Sequence, residues 1–253
     1  GSEMCIRDRA NPLVTLDFDG PVATLTMDDG KRNACSPALL AEIYAALEEV
    51  EARSGTAVVI TGREGVLSAG FDLKVMKAGG VDALRMLRAG YGLTARLLSF
   101  PTPVVFASPG HAYAMGAFML LSGDYRYGVP GPYVYVANEV AIGLPMPRVG
   151  CEVLRLRLNP AARERAVILA EEFTPEQALE VGFIDALVAP EQLMEAAHTK
   201  AHELLKLDAE AHTVAKRRLR VDVIRNIRAS LPLDLKDAVV IGAKRVAKSK
   251  LGR

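Results

Sequence analysis

The sequence predicts an α/β protein in which a core of repeated β/α units is followed by a helical C-terminal region. Three observations predict this class. Short apolar segments of strand length alternate with amphipathic segments of helix length up to about residue 136. From about residue 160 only helical patterns remain. The length of 253 residues is enough for one large core with a smaller appendage.

The first β/α unit is predicted at residues 22–55. Val22–Met27 alternates apolar and polar residues after an Asp-Gly-Pro turn, which is typical of a half-buried strand. Ser36 and Pro37 supply an N-cap and a first-turn proline, and apolar residues then recur at helical spacing until Gly55. The pattern predicts a strand, a loop and a helix in that order.

Two further units are predicted downstream. Residues 57–62 and 103–108 are short apolar segments, and a helical pattern runs from Val81 to Leu98 between them. The third unit combines a helix at 114–122 with a strand at 133–136. Continuously apolar strands that alternate with helices are typical of parallel strands, so we expect a parallel sheet covered on both faces.

The C-terminal part carries helix start and stop signals. Thr174-Pro-Glu-Gln177 is a capping box with proline at the first helical position, and Gly182 marks the end of that helix. Polar residues or proline separate three more predicted helices, at 191–206, 209–229 and 233–250.

These patterns divide the chain into three parts. Residues 12–190 are the predicted repeated core, and residues 191–253 are the predicted C-terminal helical region. Residues 1–11 match neither periodicity and begin with Gly-Ser, which looks like a cloning remnant. We therefore expect residues 1–11 to be disordered or derived from a tag.

The composition argues against several classes of function. The formal net charge is only +1, so the charge balance does not favour binding to nucleic acid. No apolar run approaches the roughly 20 residues that a membrane span needs, and the N-terminal residues contain no signal-like apolar block. We therefore expect a cytoplasmic protein that binds neither nucleic acid nor membrane.

Cysteine and histidine usage predicts neither disulfides nor a metal site. Cys5, Cys35 and Cys151 are odd in number and far apart, so we expect reduced thiols. His198 and His202 are four residues apart, but without a nearby carboxylate motif we interpret them as a solvated helix face. No metal ion is expected.

Two segments rich in small residues are the strongest indication of chemistry. Residues 67–74 contain a glycine break after an apolar run, and residues 110–124 are a small-residue stretch that opens an apolar helix. Glycine and alanine allow a substrate to approach the backbone closely. Both segments can present backbone N–H donors to one oxygen, an arrangement that stabilises a developing oxyanion. The segments therefore predict carbonyl chemistry without a metal.

Four motifs in order resemble the crotonase family, also called the enoyl-CoA hydratase/isomerase superfamily. Lys31-Arg-Asn-Ala34 resembles the K-x-N-A loop of that family, and Ser68-Ala-Gly-Phe-Asp-Leu-Lys74 resembles its A-G-x-D-[LI]-K loop. Gly110–Asp124 resembles its glycine-rich helix start, and Asn138–Pro145 resembles its P-E-x-x-[IL]-G-x-x-P motif. The resemblance covers roughly residues 12 to 250.

The resemblance implies a fold, a ligand and an assembly. The implied fold is a stack of ββα turns with a C-terminal helical region that serves trimerisation, in a homotrimer or homohexamer. The implied substrate is an acyl-CoA thioester, so coenzyme A enters as part of the substrate and no separate cofactor is expected. The implied catalytic groups are the N–H groups of Phe71 and Met115, which hold the enolate oxygen, and Glu139 as acid and base.

The resemblance also implies substrate-binding residues. Lys31 and Arg32 are expected near the phosphates and adenine of coenzyme A, with backbone groups around Ala34 at the base. The other expected substrate contacts lie in the two glycine-containing motifs and are Ala69, Gly70, Asp72, Leu73, Gly116 and Phe118.

One position departs from the pattern of many hydratases in the family. Those enzymes use two glutamates, at the positions that match Phe118 and Glu139, and here only Glu139 remains. A phenylalanine can neither orient nor deprotonate water, whereas one carboxylate is enough to move a double bond from the 3,4 to the 2,3 position. We therefore favour enoyl-CoA isomerisation with Glu139 as the single acid/base. Enoyl-CoA hydration, thioester hydrolysis or decarboxylation, and non-catalytic acyl-CoA binding remain alternatives.

The surroundings of three side chains are also predicted. Burial of Glu139 among apolar residues such as Phe118 is expected to raise the pKa of its carboxyl group. His111 is interpreted as a buried, hydrogen-bonded histidine, with a contact to a polar substrate tail as the alternative. Tyr91, although a candidate for the acyl pocket, is interpreted as a core aromatic residue.

Overall fold

The structure is a computed structural model that describes residues 12–251, with side chains up to Lys244. The β-strands are β1 Val14–Asp19, β2 Val22–Met27, β3 Ala57–Thr61, β4 Gly65–Ser68, β5 Val104–Ala107, β6 Gly110–Tyr113, β7 Tyr125–Gly128, β8 Tyr135–Val136 and β9 Ala186–Leu187. The α-helices are α1 Pro37–Glu51, α2 Leu73–Ala78, α3 Gly80–Leu98, α4 Met115–Leu121, α5 Arg148–Arg157, α6 Pro160–Ile168, α7 Pro175–Val181, α8 Leu193–Leu204 and α9 Ala209–Leu251. Short 3-10 turns occupy Val140–Ile142 and Pro190–Gln192. The expectation for residues 1–11 lies outside the described residues.

The strands form two sheets. The larger sheet has the order β1-β2-β3-β5-β7-β9, and the smaller has the order β4-β6-β8. β1 and β2 are antiparallel, and the other described pairs are parallel. Three consecutive strand pairs, β3/β4, β5/β6 and β7/β8, follow one pattern. The first strand of each pair lies in the larger sheet, the second lies in the smaller sheet, and a helical segment follows. The predicted α/β core of repeated ββα units with parallel strands is confirmed.

Both faces of the larger sheet are covered. Val59 and Val105 point to one face, where they pack with Ala197 of α8. Val58 and Phe106, their neighbours along the strands, point to the main core on the other face. This double burial explains why β3 and β5 read as continuous apolar segments in the sequence.

Local capping signals define two helices as the sequence predicts. The Ser36 hydroxyl accepts a hydrogen bond from the Leu39 N–H (3.1 Å) at the start of α1. Thr174 and Gln177 form the reciprocal capping box at the start of α7. Gly182 ends α7 with a left-handed φ of +101°, which favours glycine.

The sequence does not predict five of the strands, namely β1, β4, β6, β7 and β9. β4 and β6 lie beside the two small-residue segments, and Gly65 pairs in register with Gly110. A Cβ atom at Gly110 would lie 2.1 Å from the carbonyl oxygen of Gly65. These two strands therefore form because two backbone segments that are distant in sequence approach each other closely. The strand propensities of their side chains do not predict such a contact.

The last helix corrects a prediction. The sequence predicts separate helices at 209–229 and 233–250, but α9 is continuous and contains Pro232. The helix tolerates the lost N–H donor because it is tied to other helices on both sides of the proline. Arg220 donates to a carbonyl of α3 (3.3 Å), and Asp234 accepts from an N–H of α5 (3.1 Å). The predicted break is therefore wrong.

The C-terminal helices fold back onto the core. α8 lies on the larger sheet, and α9 contacts α3 and α5, which brings residues 234–242 of α9 beside residues 139–148. None of the helices in the described part of the chain combines the length and apolar character of a membrane span. The cytoplasmic location stays a prediction.

Candidate active site

Backbone hydrogen bonds join the first two motif loops. The Ala69 N–H donates to the Arg32 carbonyl (2.9 Å), and the Cys35 N–H donates to the Gly70 carbonyl (2.8 Å). Because these bonds link main chain to main chain, the two loops form one unit. The structure thus brings together two motifs that lie more than 30 residues apart in the sequence.

A buried asparagine fixes the first of these loops. Asn33 has a left-handed φ of +52°, and its amide donates to the carbonyls of Met27 (2.8 Å) and Leu67 (3.2 Å). The adjacent Lys31 and Arg32 are exposed. The loop therefore presents two cations to solvent from a fixed backbone, an arrangement suited to phosphate groups.

Phe71, in the second loop, is positioned by α3. A Cβ atom at Gly90 would lie 2.4 Å from the Phe71 ring, so the glycine makes room for it. The ring of Tyr91 packs edge-on against Phe71, with centroids 5.4 Å apart and planes at 84°. Phe71 forms a parallel β-bridge with Cys35, but its neighbours make the hydrogen bonds: Gly70 accepts from the Cys35 N–H, and the Asp72 N–H donates to the Cys35 carbonyl. The bridge therefore leaves the Phe71 N–H uncommitted.

The start of α4 lies against this loop. Met115 is the first residue of α4, where an N–H group has no acceptor within its own helix. Ala114 precedes it with a φ of +48°, a conformation that residues with side chains rarely adopt. A Cβ atom at Gly70 would lie 3.5 Å from the Met115 nitrogen, and one at Gly116 would lie 2.6 Å from the Ser68 carbonyl oxygen. The backbones of the two small-residue segments are therefore in close contact.

A cavity of about 320 Å³ lies next to Tyr91. Its walls are mainly apolar and come from α2, α3, the segment before α5, and α9. The lining residues are Met76, Leu87, Tyr91, Glu139, Leu144, Pro145, Met146, Pro147, Arg148, Asp234, Asp237, Ala238, Ile241 and Gly242.

Glu139 is a buried carboxylate of this cavity. Glu139 directly precedes the 3-10 turn at Val140–Ile142, and it is 8% exposed. Within the described residues its Oε2 atom has no hydrogen-bond partner. Burial raises the pKa of Glu139 to about 7, against a smaller lowering by a backbone hydrogen bond. The raised pKa confirms the direction predicted from the sequence.

Three other ionisable side chains at the cavity are engaged with one another. Arg148 Nη1 lies 2.9 Å from Asp234 Oδ1 and 2.6 Å from Asp237 Oδ2. Asp234 also accepts from the N–H groups of Arg148 and Val149 (3.1 Å each) at the start of α5. These three residues were not predicted from the sequence. The spacing of Asp234, Asp237 and Ile241, which places them on one face of a helix, is the signal that points to a shared wall.

Phe118 lies behind the cavity wall. It is fully buried, and a Cβ atom at Gly150 would lie 2.7 Å from its ring and 2.9 Å from the Met146 sulfur. Met146 lines the cavity, whereas in the described part of the chain Phe118 does not. A direct contact between Phe118 and substrate therefore stays a prediction.

Other residues singled out in the sequence have structural partners. Asp72 caps α2, where its carboxylate accepts from the Lys74 N–H (2.7 Å), and Leu73 is exposed at the start of that helix. His111 lies on the smaller sheet and accepts a hydrogen bond at Nδ1 from the Val134 N–H (3.0 Å). Burial, with a smaller contribution from the positive charge of Arg32, lowers the pKa of His111.

No group of three or more candidate metal ligands is found among the residues described. His198 and His202 were predicted to lie on a solvated helix face. The prediction holds only in part, because His198 Nε2 lies 2.9 Å from the Thr24 hydroxyl. Cys35 is buried and Cys151 half-buried, and neither forms a disulfide within the described residues.

The chain is similar to proteins of one known family. A family model described as enoyl-CoA hydratase/isomerase matches residues 17–245. Enoyl-CoA delta isomerase 3 of Arabidopsis thaliana is 26% identical over 247 residues, which cover 94% of this chain and 100% of that protein.

Solved structures share the fold. Human mitochondrial delta3-delta2-enoyl-CoA isomerase matches with a TM-score of 0.88 and 26% identity over 95% of each chain. An enoyl-CoA hydratase from Mycobacterium marinum matches with a TM-score of 0.83 and 42% identity over 88% of this chain and 97% of that chain. The fold is therefore the crotonase fold. Because the family model also spans most of the sequence, the chain belongs to the enoyl-CoA hydratase/isomerase family.

Proposed function

We propose that this protein isomerises enoyl-CoA thioesters, moving the double bond from the 3,4 to the 2,3 position with Glu139 as the single acid/base. One observation carries the proposal: Glu139 is a buried carboxylate with an uncommitted oxygen among the described residues and a pKa of about 7. Asp234 and Asp237 at the same cavity are engaged with Arg148. Glu139 is thus the carboxylate available for proton transfer.

In the proposed reaction, ionised Glu139 removes a proton from C2 of a 3-enoyl-CoA. The electron pair of that C–H bond moves toward the thioester oxygen, and the N–H groups of Phe71 and Met115 stabilise the resulting dienolate. A donor of this kind typically contributes roughly 3–4 kcal/mol of transition-state stabilisation. Protonated Glu139 then returns the proton to C4 as the C2–C3 double bond forms. No water is consumed, which suits a wall where Met146, with Phe118 packed behind it, carries no proton-transfer group.

The proposed substrate position follows from the joined motif loops. The coenzyme A phosphates and adenine lie near exposed Lys31 and Arg32, with backbone groups around Ala34 at the base. The thioester lies where Gly70 and Gly116 keep the backbones close together. Ala69, Asp72 and Leu73 hold or border the same loop. Coenzyme A is part of the substrate, and no separate cofactor is proposed.

A spectrophotometric assay tests the proposed reaction. Incubation with a 3-enoyl-CoA is expected to increase the absorbance of the conjugated thioester as the 2-enoyl product forms. Incubation with a 2-enoyl-CoA in water is expected to leave that absorbance almost unchanged. Loss of absorbance from the 2-enoyl substrate would instead assign hydration, the activity named for the Mycobacterium marinum relative. Tight acyl-CoA binding without either change would assign a non-catalytic binding protein.

Isomerase activity is expected to increase with pH through about 7 and then to level off. The ionised form of Glu139 removes the proton, and burial raises the pKa of this group to about 7, so the active form is lost as the pH falls below that value. The measurement is kcat/KM for a 3-enoyl-CoA across the range from about pH 3.5 to pH 9. An inflection near 4.5, the ordinary value for a glutamate, would contradict a buried base.

We also propose that the protein assembles as a homotrimer or homohexamer. Large apolar side chains are exposed on its surface, including Leu219 of α9 (80% exposed) and Leu169 directly after α6 (68% exposed). Exposed apolar groups of this size are favourable sites for contact between subunits. Light scattering is expected to give three or six times the mass of the chain, and a monomer at micromolar concentration would refute the proposal.

A further inference from the structure

The cavity contains a hydroxyl group that the proposed reaction does not use. Tyr91 projects from α3 into the cavity that also contains Glu139, and the residue is only 8% exposed. Its ring is held edge-on against Phe71. No hydrogen bond engages the Tyr91 hydroxyl within the part of the chain that the structure describes. The ring packing therefore fixes the side chain at the cavity, where the charges of Glu139 and Asp234 act on its hydroxyl.

Glu139 in turn lacks a donor. Its Oε2 atom is buried and has no partner among the described residues. Buried polar atoms are nearly always hydrogen-bonded, either to protein or to ordered water. The cavity of about 320 Å³ is much larger than the roughly 30 Å³ that one water molecule occupies. A water molecule in the cavity can therefore supply the missing contact and needs a second partner itself.

Few side chains at the described cavity wall can serve as that partner. Only Tyr91 and Arg148 carry side-chain N–H or O–H donors there when the aspartates are ionised. Arg148 turns one end of its guanidinium, Nη1, to Asp234 and Asp237. Tyr91 is the buried donor of the two, because its residue is only 8% exposed whereas the Arg148 side chain is 48% exposed. The charge of Glu139 also acts on the Tyr91 hydroxyl, so the two groups lie near each other.

We propose that Tyr91 is a positioning residue for Glu139, to which its hydroxyl donates through a water molecule of the cavity. It thereby stabilises the ionised carboxylate and orients it toward the substrate. The kinetic consequence rests on the isomerase function proposed above, whereas the hydrogen bond itself does not. In this arrangement a polar group on α3 orients the base, although the position of a second acid in many hydratases is occupied by Phe118.

The charges around the pair favour this role. Burial, together with the negative charges of Glu139 and Asp234, raises the pKa of Tyr91, so the hydroxyl stays a neutral donor. The other charged groups at the cavity are Asp237 on α9 and Arg148 on α5, which pair with each other. A donor toward the ionised form of Glu139 lowers the pKa of that carboxyl group, in opposition to the effect of burial.

The test is the substitution Tyr91→Phe, which keeps the ring against Phe71 and removes only the hydroxyl. In protein labelled with ¹³C at glutamate carboxyl groups, the pKa of Glu139 is expected to rise by about 0.5 to 1. The Glu139 signal is assigned by its absence in Glu139→Gln. With a 3-enoyl-CoA, kcat is expected to fall about tenfold while KM changes less than about twofold.

The matched control is Tyr44→Phe. Tyr44 donates to the Ala89 carbonyl of the same helix α3 (3.0 Å) and does not line the described cavity. The Tyr44→Phe variant therefore also loses a tyrosine hydroxyl, but at a position away from the cavity. The pKa of Glu139 and kcat are expected to stay as in the wild type. An unchanged Glu139 titration in Tyr91→Phe would overturn the proposal, whatever happens to kcat. If wild-type protein does not isomerise enoyl-CoA, the proposed function fails, but the titration still decides whether Tyr91 bonds to Glu139.

Discussion

Replacing Glu139 by Gln is expected to lower kcat for isomerisation of a 3-enoyl-CoA by roughly a thousandfold. The amide has nearly the same size as the carboxyl group, but it cannot accept a proton from C2 or return one to C4. The proposed oxyanion donors belong to the backbone of Phe71 and Met115, so the substitution leaves them in place. Acyl-CoA binding is therefore expected to change only a few-fold, as measured by titration calorimetry with a 2-enoyl-CoA.

Glu49→Gln is the control for this substitution. The control substitution makes the same change, from carboxylate to amide, on the surface of α1. Glu49 pairs there with Arg53, and its side chain is 53% exposed. Its activity is expected to match the wild type. Retention of most activity in Glu139→Gln would refute the role of Glu139 as base, whereas equal loss of binding and turnover would indicate that the carboxylate only shapes the cavity.

The parts of the fold that could be predicted from the sequence are those with local signals. β3 and β5 are buried on both faces, so each forms an uninterrupted apolar segment. α1 and α7 are capped by Ser36 and Thr174, whose side chains accept hydrogen bonds from residues only three positions away. Both kinds of signal operate within a few residues, and short windows of sequence contain them in full.

Other elements depend on partners that lie far away in the chain. β4 and β6 form where Gly65 meets Gly110, and their strand character comes from that contact. Pro232 is a helix-ending signal by itself, yet α9 continues through it because Asp234 and Arg220 bind other helices. Tertiary contacts here override a local preference of about 3 kcal/mol against proline in a helix.

The candidate site shows the same division. The resemblance of the motif loops to those of the crotonase family predicted roles for Glu139, Phe71 and Met115. In the structure, the loop that contains Phe71 contacts the helix start that contains Met115. Tyr91 was indistinguishable in the sequence from a core aromatic residue, because helical spacing is the same for both roles. The wall formed by α9 could not be placed, since it depends on how a helix about 100 residues downstream folds back over Glu139.

Replacing Asp124 by Ala is expected to lower the free energy of unfolding by about 3–5 kcal/mol. The Asp124 side chain is only 10% exposed, and its carboxylate lies 2.6 Å from Lys216 Nζ and 2.9 Å from Arg220 Nη1. It also accepts from the Val104 N–H (2.8 Å) at the start of β5. The substitution leaves two buried cations without their counter-charge. Urea denaturation at one fixed protein concentration measures the loss.

The control for Asp124 lies on α9 itself. Asp222→Ala breaks an ion pair with Arg225 in which the side chains are 77% and 68% exposed, so the loss is expected to stay within about 0.5 kcal/mol. Equal effects of the two substitutions would contradict the role assigned to burial. Asp124 connects the end of α4 to α9, and α9 carries Ile241 to the cavity. Asp124→Ala is therefore also expected to weaken acyl-CoA binding, although Asp124 lies outside the described cavity wall.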